Sequence, residues 1–257
     1  MLAKACGCLR RSLAPTEAPG ACAAGEPGRG RRHRAAGLAG TARPDYFLSM
    51  GTKNEPTGQK SRSFIEQARR GQIVEAAAAV VAEVGYAQTS FTRIAEKAGI
   101  SKGVITYHFS GKDEILRLVV TQFFDQGWSF MEPRIRAEKT AAGQVRAWIA
   151  SELEFFGSHR TEFLAMSDIM ANHRSEDGSH AYGDALAEEV DALTEILMQG
   201  QQDGEIRQFD AHGVADIILR CTSGVLESWA MDAAVDLEAQ TALLLDFIDH
   251  AIAKDPT

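Results

Sequence analysis

Between positions 89 and 112 the chain gathers side chains suited to gripping an anion. Thr89, Ser90, Ser101 and Thr106 bring hydroxyls, Tyr107 a phenol, His108 an imidazole, and Lys102 and Lys112 ammonium groups. Phosphate oxygens accept from all of these, while Lys102, Thr106 and Val104 are also placed to meet base edges or a thymine methyl. Gly103 beside Lys102 permits close approach, and Lys112 would join a helix dipole in attracting a phosphate. Bond-making chemistry has no comparable candidate. Asp168, His173, Asp177 and His180 match no metal template such as HExxH, and Ser175 to Gly178 reads as loop. His212 and Asp216, one helical turn apart, suit an idle surface pair. GxxxxGK and GxGxxG do not occur. The expectation is a protein with no catalytic residue, no metal and no cofactor.

Such side chains act together only if local structure presents them on one face. Ala95, Gly99 and Ile105 stand at the offsets 0, +4 and +10 that a helix-turn-helix needs. Ala95 must be small where the next helix crosses, Gly99 supplies a left-handed turn residue, and Ile105 fills the angle between the helices. Upstream, Ile73, Ala77, Val80 and Val84 mark one face of a helix starting between Phe64 and Gly71 and closing at Gly85. Thr89 or Ser90 caps a second helix with Phe91, Ile94, Ala95 and Ala98 inward, and Ser101 caps a third, from Lys102 to about His108. Ser110 and Asp113 have capping-box spacing for a fourth at Lys112. Tyr107 could partly pack into the core, and Lys97 reads as a solvated charge.

The stretch Gly85-Tyr86, Thr89-Ser90-Phe91, Ile94-Ala95, Ala98-Gly99-Ile100-Ser101-Lys102-Gly103, Tyr107-His108-Phe109 and Lys112-Asp113-Glu114 resembles the DNA-binding domain of TetR-type transcriptional repressors, the TetR/AcrR-type family. The likeness covers roughly residues 68 to 116. It implies an all-α protein, a homodimer on a palindromic operator, released from DNA when the larger helical domain binds a small molecule. Thr106 departs from the family pattern, which has Tyr there, and puts one aromatic backbone contact in doubt. The alternative is a helical ligand-binding or protein-interaction module without sequence-specific DNA binding.

The charge distribution favours the first reading. The net charge of -8 hides an asymmetry: residues 1–49 carry 8 basic against 3 acidic side chains, residues 50–112 carry 9 against 5, and residues 113–257 carry 10 against 27. A basic front fits phosphate, and an acidic back avoids it.

Residues 1–49 include 11 Ala, 7 Gly, 7 Arg and 4 Pro, a composition that builds no core. Met50 is the expected natural start, with a genuine disordered tail as the other reading. The domain expectation is a disordered extension and polar arm over 1–63, a helix-turn-helix domain over 64–112, and a ligand-binding and dimerisation domain over 113–257. No secretion signal or membrane span is legible, so a cytoplasmic protein is expected.

Behind the front domain, helices are expected over 115–136, 143–156, 161–172, 181–201, 211–231 and 237–254, with breaks at Pro133, Gly157, 172–183 and Asp203-Gly204. Trp128, Trp148, Phe155, Met166, Met170 and Trp229 are candidate walls for a largely apolar effector. In the last two helices Ile218, Val225, Leu244 and Phe247 are candidates for the dimer interface implied by the resemblance; on sequence alone they could equally close the core of a monomer.

Overall fold

The computed structural model describes residues 57–174, 181–232 and 234–254, without the side chains of 57–63 and 184. The described residues are helical throughout, with one isolated antiparallel bridge between Ile206 and Ala253. The elements are α1 (Thr57–Val84), α2 (Phe91–Ala98), α3 (Lys102–His108), α4 (Lys112–Ala137), α5 (Ala141–Gly157), α6 (Arg160–Asn172), α7 (Gly183–Gln202), α8 (Ala211–Met231) and α9 (Leu237–Ile252).

Two expected boundaries differ. The first helix starts at Thr57, inside the arm expected to be irregular. Residues 59–70 are rich in Gln, Lys, Arg, Glu and Ala, good helix formers without an apolar stripe, so a search for burial overlooks them. Pro133 lies inside α4, which continues to Ala137. A proline removes a single N–H from the ladder, and within the last turns of a helix that loss is local. The segment before Met50, and with it the question of the natural start, lies outside the described residues.

α5 is the hub of the larger part, packing against α4, α6, α7, α8 and α9. It buries Val145, Trp148, Ile149, Ser151, Glu152, Leu153, Phe155 and Phe156, which cover more than one face, as a helix surrounded by others must. Two close approaches set its spacing. A side chain at Gly200 of α7 would collide with the Ala141 methyl, and one at Gly157 with Leu237 of α9. Ala141 N–H, an orphan donor of the first turn of α5, reaches the Glu205 carboxylate at 2.6 Å. Arg207 N–H donates to the Ile252 carbonyl at 3.1 Å and ties the α7–α8 loop to the end of α9.

Candidate nucleic-acid interface

Ser90 adopts extended backbone angles and its Oγ accepts from Arg93 N–H at 3.4 Å, so it caps α2. The helix ends at Gly99, with φ +66° and ψ +33°. Gly99 N–H donates to Glu96 O at 3.2 Å and Ile100 N–H to Ala95 O at 3.0 Å, the paired bonds of a Schellman stop. Nothing lies within 4 Å of where a Gly99 side chain would project, so this glycine answers the backbone angle alone. The chain then re-enters helix at Lys102, and Ile94, Ala95, Ile105 and Phe109 are buried between the two helices and their neighbours. The offsets 0, +4 and +10 therefore do the work expected of them.

This burial turns the other face of α3 outward. Ser101, Lys102, Gly103, Thr106 and Tyr107 are exposed, Tyr107 at 81 %, while Val104 is half-buried and less open than expected. An aromatic ring left so far in water is not core, which removes the packing role considered for it. Thr106 Oγ1 donates to Gly103 O at 3.1 Å on a side chain that stays exposed. His108 is half-buried beneath the Tyr107 ring, centroids 5.0 Å apart, and its Nδ1 has no hydrogen-bond partner among the described residues.

Several expected roles change on inspection of contacts. Thr89 is buried and its hydroxyl donates to Gly85 O at 2.8 Å, so it braces the α1–α2 loop and leaves the cap of α2 to Ser90. Ser101 has cap backbone angles but no capping side-chain bond. The partner of Ser110 is Glu114, whose Oε2 accepts from both Ser110 N–H and Oγ at 2.9 Å, and Gly111 is the residue before α4. Asp113 takes no part in that box. Lys112 is half-buried, its Nζ 4.5 Å over the Tyr86 ring and 3.4 Å from Tyr86 O. These contacts steady the α1–α2 loop from the first turn of α4. Lys97, expected to be solvated, pairs with Glu83 at the surface.

Arg70 was not legible as a site residue. It donates to the His108 carbonyl at the end of α3, pairs with Glu114 Oε1 at 2.9 Å, and stacks 4.1 Å over Phe109. Burial alone would raise the Glu114 pKa, but hydrogen bonds from Arg70 and Ser110 outweigh it and hold the carboxyl below its ordinary value. A long-range pair such as 70 with 108 and 114 has no spacing signature. Gln72 Nε2 similarly donates to Ala98 O at 2.9 Å, joining α1 to the end of α2.

The reading head is joined to the larger part at the other end of α2. Tyr86 N–H donates to Asp168 Oδ2 of α6 at 2.6 Å, while Asn172 Nδ2 holds the second oxygen at 2.7 Å. His173 is buried, with Nδ1 3.0 Å from the Tyr182 hydroxyl and Nε2 4.0 Å from Asp113. Burial drives its pKa below the ordinary value, against the pull of Asp113 and together with Arg117 and Lys112. Burial likewise raises that of Tyr182. Asp168 and His173 thus have structural partners, Asp177 and His180 lie outside the described residues, and no metal-ligating group of three forms among the described residues. Asp216 pairs with Arg220 at 2.8 Å and not with His212.

Among the expected pocket residues, Trp128 and Trp148 meet edge to face at 5.5 Å. Phe155 belongs to a cluster with Phe123, Phe130, Phe156 and His159. Met166 is buried and Met170 half-buried on α6, whereas Trp229 stands beside Arg160 at 5.8 Å.

The expected dimer residues require correction. Ile218 and Leu244 are buried within the protomer at 0 % and 8 % exposure, and Val225 is half-buried. Phe247 is outward, and the exposed apolar residues of α8 and α9 include Ile217 and Leu243, each one position before the expected residue. One residue turns a helix by about 100°, enough to exchange an inner face for an outer one.

Two short helices crossed over a glycine turn, the second presenting a lysine, a threonine and a tyrosine outward, define a helix-turn-helix DNA-reading protein. Residues 73–119 match the family model described as bacterial regulatory proteins, tetR family. The chain is 26 % identical over 184 residues to the fatty acid metabolism regulator protein of Bacillus subtilis, covering 70 % of this chain and 94 % of that one. Over 141 residues it is 27 % identical to the transcriptional repressor KstR2 of Mycobacterium tuberculosis, covering 54 % and 70 %. The crystal structure of FadR from Bacillus subtilis in complex with stearoyl-CoA is 26 % identical, with a TM-score of 0.59 over 69 % of this chain and 96 % of that one. Residues 73–119 thus carry the DNA-binding region of TetR/AcrR-type transcriptional regulators, and the chain is similar to regulators of that type over most of its described length. No helix among the described residues is long and apolar enough to cross a membrane.

Proposed function

We propose that this protein represses transcription by holding a palindromic operator as a homodimer, and that a small molecule bound among the helices after α3 releases it. The carrying observation is the outward face of α3, where Lys102, Gly103, Thr106 and Tyr107 are all exposed on a helix locked from behind by Ile105 and Phe109. The alternative, a helical module that has lost DNA reading, offers no reason for a large ring and a cation to stay in water on that face.

The dimer is carried by Ile217, Leu243 and Phe247, exposed apolar residues on α8 and α9, which pack against each other. Two heads related by a two-fold axis read a palindrome with enough contacts for specificity. The stearoyl-CoA complex of the FadR relative supports an effector with a substantial apolar portion, and Trp128, Trp148 and Phe155 are the residues assigned to it here. DNA selected from random sequence by the full chain is expected to converge on an inverted repeat. Selection yielding no enriched sequence, while the protein is folded, would reject the reading.

A further inference from the structure

On α5, Glu152 is 6 % exposed and its Oε2 has no hydrogen-bond partner among the described residues. One turn earlier Trp148 is 1 % exposed, and its indole N–H acts on the Glu152 carboxyl as a donor that falls short of full hydrogen-bond geometry, leaving Oε2 without a close partner. The Nε1 of Trp128, on α4, is a second buried polar atom of this kind, on a ring 5.5 Å from that of Trp148. From α7, Glu189 bears on Glu152 as a like charge. α4 and α7 both pack on α5 and make at most marginal contact with each other, so this face of α5 lies between them.

Burial, then the charge of Glu189, pushes the Glu152 carboxyl well above the carboxylate range, and burial raises that of Glu189 as well. Buried polar atoms are normally satisfied, and a cluster of them in an apolar interior asks for a group to meet them.

We propose that these residues form the polar end of the effector site and take the protonated amine of an otherwise apolar ligand, between the Glu152 carboxylate and the rings of Trp128 and Trp148. The inference rests on the reading of this region as effector-binding. An N–H-bearing cation fits better than a quaternary one because Glu152 Oε2 needs a donor, and aromatic faces attract either. An arriving ammonium favours the ionised carboxyl, so Glu152 gives its proton to the buffer as the ligand binds.

Octylamine, 1-octanol, octanoate and octyltrimethylammonium, titrated into the full chain by calorimetry in buffers of different ionisation heat, test this. Octylammonium is expected to bind at least about ten-fold tighter than each of the others and to release up to about one proton near neutral pH. Glu152→Gln, nearly isosteric, is expected to abolish both the preference and the proton release, and Trp128→Phe to weaken the amine while leaving octanol within about two-fold. Equal or tighter binding of octanol, octanoate or the quaternary ion overturns the proposal. So does an unchanged preference in Glu152→Gln, or a folded protein that ignores octylamine. Release of a protein-selected DNA duplex is followed in the same titrations. If octanoate frees the duplex and octylamine does not, ligand-responsive repression stands and the amine site falls. If octylamine binds through Glu152 but no probe moves the duplex, the amine site stands and its place in repression falls.

Discussion

Residues on the helix-turn-helix divide into those proposed to meet DNA and those that hold the others still. Lys102 is exposed and uncommitted by any contact described above, so Lys102→Ala is expected to lower affinity for all sequences and reduce the salt slope by about one unit. Thr106→Ala is expected to relax preference at one position of each half-site, with a cost of roughly 1–3 kcal/mol if a base contact is lost. Titrations over several salt concentrations and single-base operator variants separate the two effects. Arg70 and Glu114 belong to the second group, since they fasten the end of α3 to α1 and α4. A carboxyl whose folded pKa is depressed stabilises fully above its unfolded value, 4.5, and loses that contribution as pH falls through the folded value. Denaturation at pH 7 and at pH 3 should therefore show a smaller acid loss in Glu114→Gln than in the parent chain. An identical loss in both would show that Glu114 does not supply it.

At the scale of elements, the turn between α2 and α3 depends on a backbone angle and not on a contact. Gly99→Ala places a methyl in open space but forces a left-handed φ, which costs about 1–2 kcal/mol. Chemical denaturation is expected to show that loss, with DNA affinity falling further because α3 is re-aimed. A stability equal to the parent would mean that the turn relaxes to another geometry. α6 acts on the same head from the opposite end, through Asp168 on Tyr86 N–H and His173 against Tyr182. His173 has a folded pKa below 6.5, so the unfolded chain binds more protons as pH drops below that value. Stability carried by its neutral form is present above about pH 6.5 and declines below it. Melting curves from pH 7.5 to 5.5 are expected to fall more steeply for the parent than for His173→Asn.

For the whole molecule, the question is which apolar residues close a protomer and which join two. Ile217→Asp and Phe247→Asp are expected to give folded monomers that bind operator weakly, as measured by light scattering and far-ultraviolet dichroism. Ile218→Asp buries an unpaired charge in the protomer and is expected to cost at least about 3 kcal/mol, so it should unfold before it dissociates. If the two outward variants remain dimeric, the interface lies elsewhere. This contrast did not follow from the apolar pattern, because adjacent residues such as Ile217 and Ile218 are equally apolar.

Local spacing determined much of this protein. Ala95, Gly99 and Ile105 fixed the helix-turn-helix, Ser90 and Gly99 fixed the ends of α2, and the run of helices to α9 was readable because each carries a buried stripe. These are interactions between residues within about one turn or one tight loop, and their cause is steric or capping chemistry that a sequence states directly. Tertiary structure alone decided which side chains remain available. It folded Thr89 inward, drew Lys112 over Tyr86, set Arg70 against the end of α3, and brought Trp128, Trp148, Glu152 and Glu189 together from three helices. Each depends on the packing angle of elements distant in sequence, and a rotation of one residue in register reverses which face is buried.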